Sequence, residues 1–143
     1  MNALGLVAPQ RWRHWYLRAL PAYWIFLFVM THLPRPRIGP ILQGDKILHT
    51  LAFGALAFFF WRFAEVVQGR LSWRFAWLAF LWLGAYAGFD EWLQQFVGRS
   101  TDIVDWLFNL LGMAIVLGWL EYRRRAGQGG TPAPRQRRSV IRG

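Results

Sequence analysis

The sequence predicts an all-α fold: a four-transmembrane-helix bundle with N- and C-termini cytoplasmic and a disordered basic C-terminal tail. Three observations predict it. Hydrophobic residues make up 55% of the 143, and 10 are Trp, too apolar and too aromatic for an ordinary soluble domain. Four stretches free of charge recur along the chain, at 19–31, 47–61, 75–89 and 106–120. Finally, the 17 basic residues, all Arg except Lys46, flank these stretches instead of interrupting them. A net charge of +10 alone would also suit a nucleic-acid binder. Arginines bordering long apolar runs point to a membrane surface, with no nucleic-acid partner. The absence of Cys excludes disulfides, thiolate metal sites and a cysteine nucleophile.

Residues 1–16 form a short basic, aromatic leader with Arg11, Trp12, Arg13 and Trp15. The run after it ends in Met30-Thr31-His32-Leu33 without a small-x-small cleavage site, so a span is expected and not a signal peptide. That first span covers 17–33, entered near Pro21, where an early-turn proline is tolerated. Pro34-Arg35-Pro36-Arg37 stops it. The second span covers 47–63, and the turn Gln68-Gly69-Arg70 follows. The third covers 73–95 and the fourth 103–122; small residues in the last three favour close helix packing. Together 17–122 form the membrane domain. Residues 123–143, rich in Gly, Pro, Gln and Arg, have too few apolar side chains to fold and should be disordered.

The charge-free stretches reach only about 20–23 Å at ~1.5 Å per residue, against a hydrocarbon core of roughly 30 Å. Arginine at their ends can snorkel to the headgroups. Aspartate is too short for this, so Asp45, Asp90, Asp102 and Asp105 should face one another or a hollow and not lipid. The leader, the turn near Arg70 and the tail share 13 basic residues, against four on the other side: Arg35, Arg37, Lys46 and Arg99. The side with 13 should be cytoplasmic. Trp12, Trp15, Trp61, Trp73 and Trp119 then fit an inner aromatic belt, and Trp92 and Trp106 an outer one.

The polar residues concentrate on the outer side. Four of the seven acidic residues lie within 90–112. Asp45 and His49 are four apart, as are Asp90 and Gln94, so each pair shares a helix face. Asp102, Asp105 and Asn109 follow at spacings of three and four and form one stripe. Facing lipid would cost several kcal/mol for each charge, so the three stripes should turn inward together. Each residue also has a plainer role. Asp102 and Asp105 suit the amides and dipole of a helix start. Arg99 can neutralise Asp90 or Glu91, Lys46 can snorkel, His49 can be a satisfied bundle histidine, and Ser100 can be a turn residue. His14 and His32 are expected at the interface.

The order Asp45-Lys46-x-x-His49, Phe53, Asp90-Glu91-x-x-Gln94, Gly98-Arg99-Ser100, Asp102, Asp105, Asn109, Gly112 resembles the VanZ-like family of small bacterial integral membrane proteins, over about 40–120. Val97 departs from the pattern, where the family often has Pro. The family is named for a member linked to reduced sensitivity to the glycopeptide teicoplanin. The resemblance therefore implies a multi-pass plasma-membrane protein of the cell envelope, related to antibiotic resistance.

Two functions compete for the polar end. One is binding of an anionic membrane lipid headgroup or a lipid-linked cell-wall precursor. Lys46 and Arg99 would hold phosphate, organised by Gln94, Asp102 and Asn109. The other is a membrane enzyme, a hydrolase or transferase, acting on such a lipid. Asp45, His49, Asp90, Glu91 and Asp105 would then supply acid-base groups or hold a hard divalent metal. No ligand spacing is diagnostic of a particular metal, and no cofactor is named by the sequence. A proton-linked transporter is disfavoured because the ionisable residues crowd one end. A b-type haem would need axial histidines deeper in facing helices. The Gly and Ala faces leave a homo-oligomer open.

Overall fold

A computed structural model describes residues 10–33, 42–98 and 102–128. Among them are four helices and no strand: α1 Gln10–His32, α2 Leu42–Gln68, α3 Trp73–Gln94 and α4 Ile103–Gln128. A 3-10 turn, Gln95–Val97, extends α3. Two stretches, Asp45–Gln68 of α2 and Ile103–Gly127 of α4, are long and apolar enough to cross a membrane.

Helices α2 and α4 form the central pair, with α3 packed on α4 and α1 on α2. Glycine sets their closeness. A methyl group on Gly112 would lie on the carbonyl of Thr50, and one on Gly54 would sit 3.3 Å from the Gly112 carbonyl. Backbones this close gain dispersion contacts that larger residues would block, the main attraction available between helices in lipid. Thr50 fastens the same crossing, its Oγ1 lying 3.0 Å from the Lys46 carbonyl and 3.3 Å from the Phe108 carbonyl. Phe53, Leu56, Ala57, Leu83, Ala87 and Met113 fill the core beyond it. Gly69, at φ 78°, closes α2, its N–H donating to the Glu65 carbonyl at 2.9 Å.

Three helices are longer than expected. Helix α2 runs Leu42–Gln68, past both ends of the expected 47–63. Helix α1 starts at Gln10 and not near Leu17, so Pro21 is interior to it and not at its entrance. Its first turns are held by α2: Trp15 packs against Phe59 at 5.9 Å, and the Arg62 guanidinium lies 5.5 Å from the Tyr16 ring. Helix α4 runs past Tyr122 to Gln128, so 123–128 are helical where a disordered tail was expected. Arg124 and Arg125 both pair with Glu121, one turn back, and this carries the helix on. Residues 129–143, the rest of the expected tail, lie outside the described residues.

The aromatic belts also need correction. Trp12, Trp15, Trp73, Trp92 and Trp119 are exposed, but Trp61 is 1% exposed and belongs to the core, with its Nε1–H donating to Glu65 at 2.8 Å. Trp106 is half-buried; its indole N–H donates to the Gly84 carbonyl at 3.1 Å, and the ring lies against Gly88. It ties α4 to α3.

The burial pattern is inverted relative to a water-soluble bundle. Ile25, Phe26, Leu51, Trp77, Leu81, Trp82 and Ile115 face outward, while Asp90, Glu91, Gln94 and Asn109 are buried.

Candidate functional site

The end of α1, the start of α2, the end of α3 and the start of α4 meet at one end of the bundle. Two connected clusters form there.

The first joins α2 to α4. Asp45 and His49 share a face of α2, and Asp105 and Asn109 share a face of α4, as the spacing predicts. The Gly112–Thr50 crossing brings the two faces together. His49 is 4% exposed, and its Nδ1 lies 3.0 Å from Asn109 Oδ1. An amide oxygen only accepts, so Nδ1 carries a proton, and in the neutral ring Nε2 presents a lone pair. Nε2 lies 3.8 Å from an Asp45 carboxylate oxygen and 3.7 Å from one of Asp105. Both distances are too long for a hydrogen bond. Nε2 is buried with no hydrogen-bond partner among the described residues.

The second cluster joins α3 to α1. Asp90 and Glu91 lie near the C-terminus of α3, where a carboxylate opposes the helix dipole. Capping does not account for them. Both are buried, at 1% and 3% exposure. Gln94 Nε2 reaches each of them, donating to Asp90 at 3.1 Å and to Glu91 at 3.4 Å. Thr31 Oγ1 of α1 donates to Asp90 at 3.2 Å.

The link between the clusters is Asp102. Its backbone N–H donates to Glu91 at 3.2 Å, and its side chain accepts the Val104 N–H at 2.8 Å. Asp102 is thus the N-cap of α4, the plainer of its two expected roles.

A model of the VanZ/LLP1 family matches residues 5–123. The chain belongs to the VanZ/LLP1 family. No curated protein and no solved structure matches it. Family membership and the two apolar helices make this VanZ/LLP1 chain a membrane protein. The match begins well before residue 40, taking in α1 and its contribution to the polar end.

Most of the VanZ/LLP1 residues singled out in the sequence are brought together: Asp45, His49, Asp105 and Asn109 in one cluster, Asp90, Glu91 and Gln94 in the other. Lys46 lies at the rim, its Nζ 5.7 Å from the Phe108 ring. Arg99 and Ser100 lie outside the described residues. Three contributors were missed. Thr50 and Thr31 gave no sign in the sequence beyond being polar in apolar runs. His32, read from the sequence only as an interfacial residue, is packed against the site. It stacks on Phe28 at 4.1 Å, donates Nδ1–H to the Phe28 carbonyl at 2.8 Å and sits 3.8 Å from Asp90. Its partner lies on α3, far along the chain and out of reach of any local spacing rule.

Proposed function

We propose that this protein is a four-span protein of the bacterial plasma membrane. Its polar end faces the extracytoplasmic side and binds the anionic headgroup of a membrane lipid or a lipid-linked cell-wall precursor. One observation carries the reading: charged and amide side chains are buried together at one end of a bundle whose outer surface is apolar. Such a surface is costly in water and natural in lipid. Helices α1 and α3 share it, with Ile25 and Phe26 on one and Trp77, Leu78, Leu81 and Trp82 on the other exposed, which supports four spans. The arginine excess at the other end supports the orientation. Lys46 and Arg99 would hold the phosphate, and the family's tie to glycopeptide resistance makes a cell-wall precursor a suitable ligand.

The second reading, a membrane hydrolase or transferase, draws on the His49–Asn109 hydrogen bond. It fixes an imidazole with a free lone pair beside two carboxylates, an arrangement suited to general-base work.

The chain's lack of Cys makes topology simple to test. Gln95→Cys and Arg70→Cys place single thiols at exposed positions on opposite ends. A membrane-impermeant maleimide should label Gln95→Cys in intact cells and Arg70→Cys only after permeabilisation; the reverse pattern overturns the orientation. Purified protein should retain anionic phospholipid, and Lys46→Ala with Arg99→Ala should lose it. Retention unchanged in the double variant sinks the binding reading.

A further inference from the structure

With its imidazole neutral and its carboxylates ionised, the wall formed by Asp45, His49 and Asp105 only accepts. It presents two carboxylates and an imidazole lone pair, with donor atoms all within 4.8 Å of one another. A buried imidazole nitrogen without a hydrogen-bond partner among the described residues, aimed between two carboxylates, is the complement of a cation.

The spacing fits one. Ligand atoms each ~2.1 Å from an ion at tetrahedral angles lie about 3.4 Å apart. His49 Nε2 is 3.8 Å and 3.7 Å from the two carboxylate oxygens, and all three ligand atoms lie within 4.8 Å of one another, so an inward shift of the carboxylates would complete the three-ligand set. The supporting geometry is also that of a metal-binding histidine. Its other nitrogen donates to a fixed acceptor, Asn109 Oδ1, which locks tautomer and ring orientation. One imidazole and two carboxylates suit zinc or manganese, whereas calcium takes an all-oxygen shell of six to eight ligands. Three protein ligands leave positions open for a ligand oxygen.

We propose that Asp45, His49 and Asp105 bind one divalent cation of the zinc or manganese kind, and that this cation takes the phosphate of the headgroup. Asn109 is the positioning residue. The second half rests on the lipid-binding reading; the first half stands without it.

The test uses the full chain in detergent, stripped with chelator and reloaded with Mn2+ or Zn2+. Elemental analysis should find one ion per chain, and the Mn2+ form should show nitrogen coupling from one imidazole by pulsed electron paramagnetic resonance. His49→Ala and the near-isosteric Asp105→Asn should each lose the ion while a Glu65→Gln control keeps it. Asn109→Ala should weaken affinity by about 10–100-fold. An ion-free wild type that is folded after reloading overturns the site, as does an ion kept by a folded Asp105→Asn or one without nitrogen coupling. The lipid half is read separately with short-chain phosphatidic acid and, in parallel, inorganic phosphate. Lipid binding that needs the ion supports the proposal. Lipid binding that persists in chelator overturns the bridging role and leaves the headgroup reading intact. A bound ion that takes phosphate but no lipid sinks the headgroup reading and leaves the cation site.

Discussion

The two ends of this bundle handle charge in opposite ways. At the basic end each acid is matched on its own helix. Glu65 pairs with Arg62 at 2.7 Å, and Glu121 with Arg124 and Arg125 at 2.6 and 2.7 Å. A cavity of about 60 Å³ there is walled partly by Arg62 and Glu65, already paired with each other. At the acidic end bonds within α3, from Gln94 to Asp90 and Glu91, are joined by bonds between helices, from Thr31 to Asp90 and from His49 to Asn109. Four buried polar atoms there, His32 Nε2, His49 Nε2, Gln94 Oε1 and Asn109 Nδ2, have no hydrogen-bond partner among the described residues. Pairing within three or four residues serves a helix's own solvation and needs no fold. Buried groups left with spare valence, on a scaffold that could have filled the space with leucine, need another reason. The difference teaches where to look for function: at the end where buried imidazole and amide atoms keep spare valence, four of them against Arg62 Nε at the basic end.

Substitutions can break or sharpen this contrast. The largest effect is expected at Gly112→Ala, because the new methyl meets the Thr50 backbone, which cannot move without parting α2 from α4. The loss should be roughly 3 kcal/mol or more, read as the drop in folded fraction during titration from mild detergent into SDS. A stable, well-folded variant would mean that the crossing does not set the site.

Next comes Asn109→Ala, which removes the acceptor from a buried His49 N–H. It should cost about 2 kcal/mol. Thr31→Val deletes the hydroxyl that joins α1 to Asp90 and keeps the side-chain shape; thermal unfolding should show a loss of about 1 kcal/mol. At the opposite end, Arg124→Gln should cost less than about 1 kcal/mol, as ion pairs between neighbours on one helix do. A cost equal to that of Asn109→Ala would erase the contrast. The smallest change is expected from Gly118→Ala. Nothing lies within 4 Å of the added methyl, so the variant should unfold at the same point or gain up to about 1 kcal/mol from helix propensity.

Much of the architecture could be read from the chain. Apolar runs bounded by arginine marked four helices, and spacings of three and four set Asp45 with His49 and Asp105 with Asn109, because same-helix neighbours are a local property. What escaped depended on partners elsewhere in the fold. Thr31 and Asp90 are 59 residues apart, and no periodicity links them. Trp61 and Trp106 read as belt residues because indoles favour interfaces, yet each donates to an acceptor within the bundle, Glu65 and the Gly84 carbonyl. The extra turns at Gln10 and Gln128 rest on Trp15 packing against Phe59 and on a shared Glu121. Those contacts can be named only once the neighbours are known.

The reach from His49 to Asn109, 60 residues along the chain, has a consequence for biogenesis. Helix α2 is synthesised with Asp45 and His49 before their partners on α4 are made. Until then the imidazole has Asp45, one turn away on its own helix, and lacks both Asn109 and Asp105. A chain cut short after α3 would keep the polar face of α2 without the helix that covers it. The fourth helix is thus the last part of the cluster to exist, and the His49–Asn109 bond forms only once it is in place.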